Sequence, residues 1–185
     1  MTIVETKIPG YVTGAWEIDS GGSYVGFVIR HLMIAKIRGQ FESVRGEIVT
    51  ADDHLDSSVT VTIDAASFRT SDAVKNEQVT SSAFLDADHY PSLTFGSTGV
   101  HSDHGLFLIE GDLTIRGLSR PITLNAAPPQ FGPNQSGAMS LGMSAHTRIR
   151  RSDFGVSLNA PLARGGSMLG EDVDVLLEIE ATFKP

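Results

Sequence analysis

The chain has 185 residues, a formal net charge of −8, no cysteine and nineteen glycines. That length suits one domain with a proper core, and the acidity argues against nucleic acid as a partner. The missing cysteines exclude disulfides and thiol chemistry, and no stretch approaches the length of a membrane-spanning helix.

The elements predicted from periodicity are mostly strands. In order they run over 15–19, 23–30 and 37–50, where Gly46 is a candidate bend or bulge, then 58–64, 93–98, 106–115, 122–125, 139–149 and 173–183. In "VTVTI", residues 59–63, Val59, Val61 and Ile63 share one face. In "VDVLLEIEATF", residues 173–183, Val173, Val175, Leu177 and Ile179 oppose Asp174, Glu178 and Glu180. Such alternation marks antiparallel strands with one wet face. A short helix is predicted within 70–84, with Ser71 as its N-cap, and a helical turn within 161–169. "AAPPQFGPNQSG", 126–137, reads as a loop in which three prolines prevent regular pairing. Pattern alone leaves a sandwich or a barrel open. The long strands over 37–50 and 139–149 favour a barrel of about eight strands.

Polar residues that could carry chemistry are few. His31 ends the alternating run Val25, Phe27, Ile29 and precedes a short apolar patch, 32–35. An inward polar group there must be hydrogen-bonded or wet. It either ties that break to a neighbouring strand or donates to a ligand head group. Catalysis is disfavoured because no nucleophile or carboxylate sits at a recognisable spacing. "HSDHG", 101–105, reads as a hairpin turn rather than a metal site. "DADHYP", 86–91, supplies turn and cap groups. "RIRRSD", 148–153, is the one basic cluster; it pairs with local acids such as Asp153 or holds a phosphate or an acidic partner.

Four stretches, "EIDSGGSYVGFVIRHLMIAKIRGQF", "DADHYPSLTFGS", "EGDLTIRGLSRPITL" and "RRSDFGV", together resemble the YceI-like family of polyisoprenoid-binding proteins. The resemblance implies an all-β, antiparallel eight-stranded barrel, an extended lipocalin-like fold with one main short helix. The domain would span the whole chain, 1–185, with 1–13 as an N-terminal extension. The resemblance implies a non-enzymatic binder of a polyprenyl lipid, isoprenoid quinone or fatty amide, with no cofactor or metal, and a homodimer. Residues 1–8 lack a basic leader and an apolar core, so the cytoplasmic subset of the family is expected. Relatives often carry Arg-Asp-x-His-Leu before a double phenylalanine. Here Lys75-Asn76-Glu77-Gln78-Val79 and Phe84-Leu85 stand there, and Arg150 replaces a common asparagine, which leaves the head-group preference open.

The inward faces assign the ligand wall to Val25, Phe27, Ile29, Phe41, Val61, Ile63, Phe84, Phe95, Leu113, Ile115, Leu141, Met143, Val175 and Leu177, with His31 at the polar end. Phe27 and Met143 are expected to read ligand chain length. An enzyme acting on a lipid-like substrate and a filled barrel serving as an interaction module are the alternatives.

Overall fold

The computed structural model describes residues 7–32, 34–157 and 169–185. Its strands are β1 (Gly14–Ile18), β2 (Tyr24–His31), β3 (Ala35–Phe41), β4 (Val44–Thr50), β5 (Ser58–Asp64), β6 (Phe68–Arg69), β7 (Ser92–Asp103), β8 (Leu106–Ile115), β9 (Leu118–Ala126), β10 (Gln130–Pro133), β11 (Met139–Arg150) and β12 (Leu169–Lys184). Among the described residues one α-helix, α1 (Ala73–Thr80), separates β6 from β7. The sheet runs β11-β9-β8-β7-β5-β4-β1-β12, and the β11–β12 pair closes it into an eight-stranded antiparallel barrel. Closure satisfies the strand edges that a sandwich would leave bare.

β12 is the longest strand, and its length explains the shape. One edge pairs with β11 from Ser140 opposite Thr182 to Arg150 opposite Asp172. The other edge is shared, with β1 along its C-terminal end and β2 along its N-terminal half. β2, β3 and β6 thus prolong the wall begun by β1, β4 and β5. The three breaks lie side by side, and serines stitch them. The Ser20 hydroxyl donates to the Glu42 carbonyl and accepts from the Val44 N–H, both at 3.1 Å. The Ser67 hydroxyl donates to the Asp64 carbonyl at 2.7 Å and accepts from the Ser43 N–H at 3.0 Å. Ser23 bridges both backbone groups of Glu180. Backbone groups left by each break therefore stay paired.

This seam corrects the single strand predicted over 37–50, which breaks at Glu42 and Ser43. Gly46 is not a bulge, since β4 and β5 keep register through it. A Cβ there would lie 2.1 Å from the Thr60 carbonyl oxygen, so the glycine permits close strand approach. The 126–137 stretch is paired in part, because β10 runs antiparallel to β11. Proline is tolerated there because β10 ends the sheet and Pro133 ends β10. The helix starts after Asp72, not Ser71; the Asp72 carboxylate accepts from the Val74 N–H at 2.9 Å. Of the turn predicted over 161–169, only Leu169 lies among the described residues, and it opens β12. The hairpin turn predicted over 101–105 is narrower: His101 to Asp103 still pair in β7, and His104 and Gly105, with φ of 48° and 84°, make the turn into β8.

Residues 7–13 pack on one end of the barrel. Ile8 is buried, the Tyr11 hydroxyl donates to the Ala51 carbonyl at 2.7 Å, and its ring meets Phe131 edge-on. Burial pushes the Tyr11 phenol up. Beside them Trp16, fully buried, sits between Phe131 and Phe183 and donates to the Thr50 hydroxyl at 2.9 Å.

Candidate ligand-binding cavity

At the other end, where β2 and β3 prolong the wall, a cavity of about 660 Å³ lies inside the barrel. Its wall is apolar. β2 contributes Val25, Phe27 and Ile29, β3 Ile37 and Phe41, β5 Ile63, β7 Leu93, β8 Leu113 and Ile115, and β12 Val173 and Val175. Phe27, Phe41 and Phe68 form one aromatic cluster, with Phe27 and Phe68 stacked at 4.9 Å. Gly39 makes room for it, since a Cβ there would fall 2.8 Å from the Phe27 ring.

The cover comes from α1 and the loop after it, through Lys75, Gln78, Val79, Phe84 and Leu85. Arg116 clamps this cover. Its backbone takes φ of 52° in the tight β8–β9 turn, and its guanidinium donates to the carbonyls of Ser82 (3.0 Å), Phe84 (3.1 Å) and Gly155 (3.3 Å).

Polar groups gather at the rim. His31 lines the cavity, and among the described residues its ring makes no hydrogen bond. The break after β2 is tied by backbone pairing to Leu169 and Ala35 instead, so the imidazole is not the strand tie offered as one reading of the sequence. Arg151 is only 6% exposed and is committed to backbone: Nε donates to the Gly170 carbonyl at 2.8 Å and a terminal nitrogen to that of Val156 at 2.7 Å. Lys75 stands 3.6 Å from Asp72. Among the described lining residues there is no carboxylate and no activated hydroxyl pair. Of the basic cluster, Arg148 pairs across the sheet with Asp174 rather than with Asp153. Arg148 donates to Asp174 at 2.7 Å and holds that carboxyl below its usual range, with Lys36 and Arg30 adding to the effect. Hydrogen bonding from Ser152 lowers Glu171 likewise. His89 is raised by its bond to Asp86, inside the 86–91 turn.

Ten residues of the sequence-assigned site surround this cavity: Val25, Phe27, Ile29, His31, Phe41, Ile63, Phe84, Leu113, Ile115 and Val175. Leu141 and Met143 instead line a second cavity of about 70 Å³ at the opposite end, with Ile48, Val59, Phe107 and Ile109. Val61, Phe95 and Leu177 line neither. A filled layer divides the two spaces. Val61 lies between Val59 and Ile63 on β5, and Gly111 between Ile109 and Leu113 on β8, in each case with one neighbour on either cavity. The Phe95 ring fills this layer, because a Cβ on Gly111 would fall 2.5 Å from it. Ile37, Phe68, Leu93, Arg151 and Phe154 are lining residues that the sequence reading missed.

The YceI-like domain profile matches residues 16–181. Protein YceI from Shigella flexneri is 31% identical over 173 residues, covering 91% of this chain and 87% of its own. The crystal structure of Burkholderia cenocepacia BcnA superposes with a TM-score of 0.75 at 25% identity, covering 89% of this chain and 99% of BcnA. A polyisoprenoid binding domain from Saccharophagus degradans shares the fold with a TM-score of 0.66 at 15% identity, over 94% of this chain and 100% of that domain.

Proposed function

The chain belongs to the YceI-like family, and we propose that it binds a long-chain isoprenoid or similar apolar lipid inside the barrel, for sequestration or transport. The observation that carries this reading is the 660 Å³ cavity, whose described lining is mostly apolar, with His31, Lys75, Gln78, Ser81 and Arg151 as its polar side chains. That volume falls in the range of small-molecule sites, and apolar walls with few polar groups are their usual make-up. The driving force is water exclusion. Each buried CH₂ is worth roughly 0.8 kcal/mol by transfer, or about 0.3 kcal/mol per heavy atom once binding costs are included. A prenyl segment of ~20 carbons would thus contribute about 6 kcal/mol with no charged anchor. The description of the Saccharophagus domain as polyisoprenoid-binding supports the ligand class.

The cavity lining favours an uncharged head group. A diphosphate drawn inside needs several cations facing it, whereas the described lining offers Arg151, bonded to backbone carbonyls, and Lys75, beside Asp72. His31 offers one donor or acceptor, which suits a quinone or amide carbonyl. Among the described lining residues no carboxylate stands with His31, which supports binding rather than catalysis.

The test is organic extraction of the purified protein, with mass spectrometry of the extract, alongside uptake of a prenyl-quinone probe. A prenyl or fatty lipid above the level in a control protein, with saturable uptake, is the expected result. An empty extract together with no uptake would overturn the reading.

A further inference from the structure

Leu32 and Ile34, at the end of the β2–β3 hairpin, are the most exposed apolar feature among the described residues, and neither core nor cavity uses them. Ile34 is 91% exposed, more than any other large apolar side chain among the described residues, and Leu32 is 45% exposed. Leu32 also holds φ at 54°, a conformation that costs a branched residue energy. The last pair of the hairpin is His31 opposite Ala35, and His31 and Ile37 line the cavity, so the tip stands on its rim. Val74, 63% exposed, precedes the lining residue Lys75 on the same rim.

The charge behind the tip runs against that of the chain. Arg30 and Lys36 face each other across the hairpin, Arg38 follows along β3, and all three are exposed, in a chain of net charge −8. The acids beside them are Glu171, Asp172 and Asp174 on β12. Asp174 is bonded to Arg148, Glu171 accepts from Ser152, and Asp172 lies opposite Arg150. Among the described residues Arg30, Lys36 and Arg38 stand within ion-pair distance of no carboxylate.

The geometry points to this rim as a docking surface for an anionic lipid bilayer. Leu32 and Ile34 enter the acyl boundary while Arg30, Lys36 and Arg38 meet the head groups. An exposed apolar tip and a basic collar are each weak signals that become effective together. Each basic residue near such a surface raises partitioning about fivefold, and salt screens the effect. The proposal rests on the reading of the cavity as a lipid site. Docking there sets the rim against the bilayer from which an isoprenoid would enter.

The experiment is flotation of the whole protein with vesicles of phosphatidylcholine containing phosphatidylglycerol, and of phosphatidylcholine alone, at low and high salt. Ile34→Glu and Lys36→Glu serve as variants, each with a thermal melt to confirm folding. In parallel, uptake of a short-chain prenyl quinone from solution is measured for all three proteins. Wild type should float with the anionic vesicles at low salt and lose most of that binding at high salt or on neutral vesicles. Each variant should partition on the order of tenfold less or weaker still, with quinone uptake unchanged. Absence of binding to anionic vesicles, or equal binding by wild type and variants, overturns the proposal and leaves the tip as a contact for a protein. If vesicle binding behaves as expected but no protein takes up quinone, docking stands and the lipid-cavity reading falls.

Discussion

Phe95→Ala should lengthen the space that a bound chain can occupy. The Phe95 ring fills the layer between a 660 Å³ cavity and a 70 Å³ one, lying over Gly111 where a Cβ would come within 2.5 Å of it. Truncation removes about six ring carbons and opens the layer toward Met143 and Leu141. Truncating a buried phenylalanine costs about 3–5 kcal/mol of stability, so Phe95→Leu should be run alongside as the milder opening. A chain that fills the vacated space with about six further carbons gains roughly 2 kcal/mol at 0.3 kcal/mol per atom, or about thirtyfold in affinity. The assay is competition binding with a ladder of prenyl quinones of increasing length, checked by melts of each variant. In wild type, affinity should rise with length and then level off; in Phe95→Ala the levelling should come one to two isoprene units later. Met143→Phe should leave the wild-type profile unchanged, because Met143 faces the small cavity beyond the layer, yet cancel the gain in the Phe95→Ala background. A folded Phe95→Ala with the wild-type plateau would refute the two-compartment account.

Three further outcomes follow from named contacts. His31→Ala should change quinone affinity by only about 1 kcal/mol, the worth of one hydrogen bond, as read by titration; a loss of several orders of magnitude would make His31 central. Thr50→Val should lower unfolding free energy in denaturant titrations by about 1–3 kcal/mol. It strands the N–H of fully buried Trp16, which donates to the Thr50 hydroxyl at 2.9 Å, and no change would mean that the indole finds another acceptor. Asp174 is held low by Arg148, so its stabilisation is present above the ordinary carboxylate pKa and fades as pH falls through its lowered value. Asp174→Asn should cost less than about 1 kcal/mol near neutral pH, the pair being exposed, and should flatten the acid limb of the stability curve below about pH 4. An unaltered acid limb would show that other carboxylates carry it.

The wall of the barrel was legible because alternation is a local property. "VTVTI" and "VDVLLEIEATF" each name their inward face, and β5 and β8 run over the predicted residues. The seam was not legible. It depends on Ser20, Ser23 and Ser67 meeting backbone groups of distant strands, and a serine near a strand end carries no sign of which carbonyl it will reach. Depth along the barrel axis was equally hidden. Val61 and Ile63 alternate alike, yet only Ile63 reaches the cavity, and register with β7 and β8 decides which. Arg151 reads as a surface charge in "RIRRSD", but its acceptors are the carbonyls of Val156 and Gly170, which leave no mark in side-chain pattern. Leu93 could have been found, since it lies two residues before Phe95 on the same strand face.

The most direct test of a lipid site in the large cavity is nuclear Overhauser contact between a bound prenyl quinone and methyl-labelled protein. Contacts from the prenyl methyls should appear to Ile63, Leu113 and Val175 in the cavity wall and to Ile37 nearer the rim, and none should reach Met143 or Ile109. Contacts confined to exposed methyls such as Leu106 and Leu176, with the cavity methyls silent, would contradict it.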